Sequence, residues 1–309
     1  MQQPWKPERV VDAGLAGRLI GHQFPELAGL ELEDFGQGWD NTAYLVGREW
    51  VFRFPRRQLA VELLENEIRW LPWLAGRLGE IRLSAPLWIG QPVEDFPWPF
   101  AGYPLVPGQT VDRWAAAPSE RRALAEDLGA FLGELHRLPI PPDLPSDPCR
   151  RFVVEGRYQE ALGRLEFLYG RKRLAHQPDW EAMLKVTLEP PAPTVFLHGD
   201  LYARHLVVGQ NRLSGVIDWG DLHQGRCSTD LCAGLTLFDA PARRRFAQAY
   251  GKIETHWWAQ AFFRALTHGL GVLAYAVESA DEVLGAEGSL ALDNLLAAWR
   301  RFVVEGQPY

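Results

Sequence analysis

Two aspartates near the middle of this 309-residue chain are of the type and at the spacing that chemistry requires. Asp200 closes the triplet His198-Gly199-Asp200, after the short β-branched run Thr194 to Leu197. Asp218 opens Asp218-Trp219-Gly220, after a second apolar run, Ser214 to Ile217. Between them lie a third run, Leu206-Val207-Val208, and a turn at Gly209-Gln210-Asn211. Short apolar runs bounded by turn residues read as buried strands. Both acids then stand at strand ends joined by a hairpin, and pairing of the strands should bring them close. Two converging carboxylates suit phosphoryl transfer: one takes the proton of the attacking hydroxyl, and the other holds a magnesium ion against the transferring group. Turn formation and helix capping are the ordinary uses of aspartate, but they leave the paired spacing unexplained.

Protein kinases carry H-R-D, a metal-binding Asn five residues after that Asp, and then D-F-G. At the same offsets this chain has His198-Gly199-Asp200, His205 and Asp218-Trp219-Gly220. An H-G-D alone says little; in register with a D-W-G one hairpin later it is specific.

The elements that must position these groups can be followed from the start of the chain. Val10 to Leu19 has helical spacing. Leu30 to Phe35 alternates like a strand, turns at Gly36-Gln37-Gly38, and alternates again over Thr42 to Val46. A turn of this kind lets backbone N–H groups approach phosphates, although a plain hairpin is its commoner meaning. Trp50 to Pro55 is a third strand with one cation, Arg53, among apolar residues. A half-buried cation needs a partner, and the helix predicted from about Leu59 to Leu78 offers Glu62, Glu65 and Glu67, with Glu67 the choice. The competing reading puts Arg53 on the solvent face of an edge strand. Ser84 to Gly90 and Phe100 to Val106 read as further strands. Tyr103 to Val106 fall where a hinge would present its backbone to a purine, and because Pro104 has no N–H the donor must come from Leu105 or Val106. Ser119 to Leu138 is a helix that Ser119 can cap, and its His136 reads as structural. Helices follow near 152–174, 180–188, 243–250, 257–278 and 290–304. Asp230 reads as the cap of an apolar helix.

A hydrophobic content of 47% supports a large core in one big domain or two lobes. The net charge of -7 argues against a nucleic-acid partner held through phosphates. Cys149, Cys227 and Cys232 form no C-x-x-C pair, so neither a disulfide framework nor a zinc site is indicated. The first residues lack an apolar signal core, and Arg264 and His268 interrupt the most apolar late stretch, Ala259 to Ala276, which argues against a membrane span. A cytoplasmic protein with no membrane partner, monomeric or weakly dimeric, is the expectation.

With these motifs in this order, the chain resembles the aminoglycoside phosphotransferase family over roughly residues 30 to 240. The resemblance implies an α+β, protein-kinase-like two-lobed fold: a small, mostly antiparallel β lobe over residues 1–106 ending in the hinge, and a larger helical lobe over 107–309, with nucleotide between them. It implies transfer of the γ-phosphate of ATP or GTP, with Mg2+, to a hydroxyl of a small acceptor. Carried over position by position, Asp200 is the catalytic base and Asp218 the magnesium ligand. Arg53 with Glu67 positions the phosphates beneath Gly36 and Gly38, Tyr103, Leu105 and Val106 form the hinge, and Asp230 braces the catalytic loop. Two positions depart from the family's usual residues. Arg53 replaces a lysine with a planar fork that still binds phosphate. His205 replaces the metal-binding Asn, although magnesium prefers oxygen, so it serves through water or touches phosphate. Macrolide phosphotransferases look alike at both places, and Tyr103 before the hinge resembles members that favour GTP. The acceptor implied is an aminoglycoside- or macrolide-like antibiotic. A small metabolite such as an amino alcohol or sugar, or a nucleotide-binding pseudokinase, are the alternatives.

Overall fold

In the computed structural model, which describes residues 7–79, 81–114, 116, 120–147 and 150–309, the alternating segments between residues 30 and 105 fold as one antiparallel sheet. The chain divides into two compact units, residues 1–107 with 215–221, and residues 108–214 with 222–309.

The first unit opens with α1 (Ala13–Gln23), capped by the Asp12 side chain, which accepts from the Leu15 N–H. Then come β1 (Leu32–Gln37), β2 (Asn41–Val46), β3 (Trp50–Pro55), α2 (Gln58–Ala75), β4 (Arg82–Leu83), β5 (Trp88–Gly90) and β6 (Phe100–Pro104). The strand order is β1-β2-β3-β6-β5. Successive side chains of a strand point to opposite faces, and this sheet uses both. Phe52 and Phe54 of β3 go to one side, where they pack with Phe96, Phe100 and residues of α1; the Phe54 and Phe100 rings stack at 4.8 Å. Arg53 goes to the other side, beside Ala101, its register partner on β6. Ala101 and Tyr103 there pack against Leu64 of α2. The α2 face that is buried recurs at Ala60, Leu64, Glu67, Leu71 and Leu74, the spacing of one helical stripe, so Glu67 is carried inward with the leucines. The edge-strand reading of Arg53 therefore fails: β3 lies between β2 and β6.

The second unit contains β7 (Gln109–Thr110), α3 (Arg121–Leu135), α4 (Val154–Gly170), α5 (Pro178–Leu184), β8 (Thr194–Leu197), β9 (Leu206–Gly209), the start of β10 (Arg212–Val216), β11 (His223–Arg226), α6 (Ser228–Thr236), α7 (Ala240–Tyr250), α8 (Thr255–Ser279) and α9 (Glu282–Glu305). The β9–β10 hairpin turns at Gln210 and Asn211, both with positive φ, the tight turn that matches strand twist. The end of β10, Gly215 and Val216, belongs to the first unit, where it pairs in parallel with β4. One expectation needs correction: β8, which leads into His198, does not pair with the hairpin. It pairs antiparallel with β11, a strand whose sequence, His-Gln-Gly-Arg, has no apolar alternation. The cap expected of Ser119 lies outside the described residues.

α8 is the central helix of the second unit and packs against α4, α5, α6 and α9. α3 packs against α7 closely enough that Gly129 is required: a Cβ there would stand 2.2 Å from the Phe246 carbonyl oxygen. Among the described residues no helix is long and apolar enough to cross a membrane. Substituting Gly129→Ala should force α3 and α7 apart and cost about 1–3 kcal/mol, read as a lowered urea midpoint at unchanged slope; a midpoint equal to the parent's would contradict the close approach.

Candidate active site

Glu67 is the centre of the polar cluster in the first unit. Its side chain is 2% exposed, and three donor groups reach its two oxygens. Arg53 Nη1 donates to Oε1 at 3.1 Å and Oε2 at 3.2 Å. The Tyr103 hydroxyl donates to Oε2 at 2.5 Å, and the Trp219 N–H donates to Oε1 at 2.7 Å. Burial pushes the Glu67 carboxyl above its ordinary value, and Arg53 with the Tyr103 hydrogen bond opposes that push. The donors on every side are those of an ionised carboxylate, which only accepts. Arg53 spends its second arm on Asp218, with Nη2 2.6 Å from Oδ1. Burial alone would lower the Arg53 guanidinium, but the charges of Asp218 and Glu67 hold it well above its ordinary value. Arg53 also lies over the Tyr103 ring, 5.5 Å from its centroid. The structure thus brings Arg53, Glu67, Tyr103 and Asp218 together.

Asp218 itself has φ +63°, a left-handed conformation that non-glycine residues seldom adopt outside special sites. It is held there by its neighbours: the Trp219 indole N–H donates to the Val216 carbonyl at 2.9 Å, and Asn66 donates to the Gly220 carbonyl at 3.0 Å. The Asp218 side chain keeps 43% of its surface exposed. A carboxylate oxygen in that state fits magnesium, which binds through one or two carboxylates and retains other oxygen ligands.

The Gly-rich turn and the hinge belong to the same unit. Gly36 has φ +132° and an open surround, and its N–H donates to Asp34. The Gly38 N–H closes the turn on the Asn41 carbonyl, while the Gly38 carbonyl accepts from Arg56. Asp40 beside it pairs with Arg57. At the segment expected to be the hinge the Leu105 N–H is taken by the Glu49 carbonyl at 2.7 Å, so of the two donors expected there Leu105 is already committed. Tyr103, expected as a hinge residue, is 2% exposed and turned to Glu67.

In the second unit the His198-Gly199-Asp200 loop is tied along its whole backbone. Asp230, fully buried, accepts the His198 N–H at 2.8 Å and the Gly199 N–H at 2.9 Å. His136 Nε2 stands 3.3 Å from Asp230, and its Nδ1 is 2.9 Å from the Tyr250 hydroxyl. Burial alone would raise the Asp230 carboxyl, but His136, His198 and the Gly199 N–H hold it below its ordinary value. Asp230 therefore braces the loop, as the resemblance implied, and is not the cap expected from its place at the start of a helix: the N-cap of α6 is Cys227. His136 is structural as expected. The Asp200 N–H donates to His198 Nδ1 at 3.2 Å, and His205 Nδ1 donates to the Asp200 carbonyl at 2.7 Å. That bond leaves the lone pair of a neutral His205 ring on Nε2, the atom with which it would meet a metal, a water or a phosphate.

Two residues at the Asp200 carboxylate were read in the sequence only as interruptions of an apolar helix. Arg264 Nη2 lies 3.3 Å from Asp200 Oδ1, and His268 Nδ1 lies 3.4 Å from the same oxygen. They are four residues apart in a helix and so share one face, the one signal that could have found them. Burial, with the charges of Arg264, His205, Arg151 and Arg164, pushes the His268 imidazole well below its ordinary value, so it stands beside Asp200 as a neutral ring.

An antiparallel β unit with a cation–carboxylate pair, followed by an acid-bearing loop and a mainly helical unit, is a kinase-like α+β architecture. A profile of the phosphotransferase enzyme family, APH, matches residues 31–266. The chain belongs to this family and is a phosphotransferase. Among solved structures it is similar to the GDP complex of wild-type aminoglycoside 2'-phosphotransferase-IIIa, with 24% identity and a TM-score of 0.66 over 93% of this chain and 99% of that one. It is also similar to the gentamicin complex of APH(2")-IIa, at 20% identity and a TM-score of 0.62 over 93% and 97%. The macrolide 2'-phosphotransferase MphH from Brachybacterium faecium matches at 22% identity and a TM-score of 0.59 over 91% and 98%. At these identities the likeness is one of fold.

Removing the carboxylate in Glu67→Ala should destabilise the protein by about 3–5 kcal/mol, because Arg53 loses one of its two anionic partners and the Tyr103 hydroxyl and Trp219 N–H lose their acceptor; a thermal midpoint within a degree of the parent's would refute that role. The depressed His268 imidazole gives a pH signature. Below about pH 6.5 the unfolded chain takes up a proton that the folded site resists, so stability should fall as pH drops through that value. Urea midpoints between pH 5 and pH 8 should show a shallower acid-side loss in His268→Gln than in the parent, and parallel curves would contradict it.

Proposed function

We propose that this phosphotransferase moves the γ-phosphate of ATP or GTP to a hydroxyl of an aminoglycoside- or macrolide-like antibiotic. The observation that carries the reading is the double anchoring of Arg53, on Glu67 and on Asp218. It reproduces the cation, helical glutamate and metal-binding aspartate of phosphoryl-transfer sites, where catalysis is positioning plus charge stabilisation. The acceptor class is supported by the similar solved proteins, one in complex with gentamicin and another a macrolide 2'-phosphotransferase.

Residues 1–106 act in this reading as the nucleotide lobe and 107–309 as the lobe for catalysis and acceptor. Val106 supplies the N–H for the purine edge, and the Leu105 carbonyl the acceptor. Gly36 and Gly38 let the turn approach the phosphates, and Arg53 aligns them. Asp218 would hold a magnesium ion, and His205 would serve it directly or through water. The ion would supply neutralisation of charge on the transferring group. Asp200 orients the acceptor hydroxyl and takes its proton. The partners are nucleotide and acceptor alone, with no nucleic acid or membrane, in a cytoplasmic monomer or weak dimer.

A transfer screen with γ-labelled ATP and GTP in parallel, plus magnesium, against kanamycin, gentamicin, erythromycin and small amino alcohols tests this. Labelled antibiotic is the expected product. Label appearing only on the amino alcohols would overturn the antibiotic assignment. Asp200→Ala should lose about 10²–10⁴-fold in turnover with nucleotide affinity nearly unchanged; normal turnover would remove Asp200 from the mechanism.

A further inference from the structure

The side chain of Asp200 is held from a direction that its own loop does not supply. Backbone bonds to Asp230, His198 and His205 fix the loop, but a fixed backbone leaves the carboxylate free to rotate about its side-chain torsions. Arg264 of α8 addresses that freedom. Its Nη2 reaches Asp200 Oδ1 at 3.3 Å and the Gly199 carbonyl at 3.4 Å, spanning side chain and backbone of the same loop. Arg264 is 8% exposed, and its Nε is buried with no hydrogen-bond partner. An arginine placed for stability alone would satisfy that donor, since an unpaired buried N–H costs about 1–3 kcal/mol. Here the guanidinium is committed through its outer nitrogen to Asp200.

We propose that Arg264 is a positioning residue for phosphoryl transfer, holding Asp200 Oδ1 so that Oδ2 is presented to the acceptor hydroxyl. The inference rests on the reading of Asp200 as the base. Because Arg264 and His268 both approach Oδ1, that oxygen is occupied on the α8 side, and the other oxygen receives the proton. The O–H bond of the acceptor breaks toward Oδ2, and the acceptor oxygen forms its bond to the transferring phosphorus as the bond to the leaving diphosphate breaks. Arg264 gains and loses no proton; it fixes which oxygen acts.

The test uses magnesium-dependent hydrolysis of ATP and of GTP by the full chain, where water replaces the acceptor, so the result does not depend on the acceptor's identity. Arg264→Gln should lower kcat about 10–100-fold, the loss of one hydrogen bond to a charged group, at nucleotide KM within about twofold. Arg264→Lys should recover most of that loss, which a packing role would not predict. In the Asp200→Ala background Arg264→Gln should cost nothing further, because residues that act through one another are not additive. An unchanged kcat in Arg264→Gln, a rise in nucleotide KM in its place, or full additivity with Asp200→Ala would each overturn the proposal. If Asp200→Ala itself turned over normally, the base assignment would fail and the proposal with it; a dead Asp200→Ala beside a fully active Arg264→Gln would overturn the proposal alone.

Discussion

The first unit is organised by the burial of one charge. An ionised carboxylate removed from water costs several kcal/mol unless donors replace the water, and Glu67 is drawn inward by the leucine stripe of α2. Its donors come from three other segments: Arg53 from β3, Tyr103 from β6, and the Trp219 N–H from the stretch after β10. Satisfying one carboxylate therefore fixes β3 against β6 on the face toward α2 and anchors the segment that carries Asp218. Arginine suits this place for a geometric reason. A lysine ammonium is a single point, whereas the guanidinium offers two arms in one plane, and Arg53 gives one to Glu67 and the other to Asp218. The departure from the family's usual lysine is what lets one cation serve both acids.

The second unit buries an acid too, and answers it differently. Asp230 is completely buried, and its donors are two backbone N–H groups of the loop it supports, with His136 beside them. Glu67 and Asp230 are structural in consequence: each is saturated. Asp200 and Asp218 keep 28% and 43% of their side-chain surface open, which is the condition for meeting a substrate or an ion.

What could be read from the sequence follows this division. The Arg53–Glu67 pair was legible because an isolated cation in an apolar strand demands a partner, and the next helix offers few. The offset from His205 to Asp218 was legible because one short hairpin, β9 to β10, lies between them. The role of Asp230 as a brace came only from the resemblance, since its partners are backbone groups that leave no mark in residue type. β11 was invisible because a half-buried strand of polar residues has no alternation to detect. The segment Arg-Arg-Phe-Val-Val-Glu-Gly shows how weak local sequence can be. At 150–156 it turns and then starts α4, with Arg150 at φ +48°; at 300–306 it completes α9 and ends on Gly306 at φ +71°. Seven identical residues give two conformations, so the flanking chain and its packing decide between them.

The two exposed acids are held by partners at different distances along the chain, and this explains why one was easier to place than the other. The segment around Asp218 is fixed by a positive φ, the Trp219 N–H on Glu67, the indole N–H on Val216 and Asn66 on Gly220, and Arg53, itself anchored on Glu67, holds the carboxylate. Every one of those contacts lies within the first unit, and the D-W-G letters already announce them. Asp200 has a fixed backbone as well, but its carboxylate is met by side chains of α8, far along the sequence. A helix that must fill an apolar core can give up two positions to such a task only if they fall on one face. Arg264 and His268, one turn apart in a mostly apolar helix, meet that condition. The charge that looked like a defect in the most hydrophobic stretch of the chain is thus the part of α8 that reaches the reactive carboxylate.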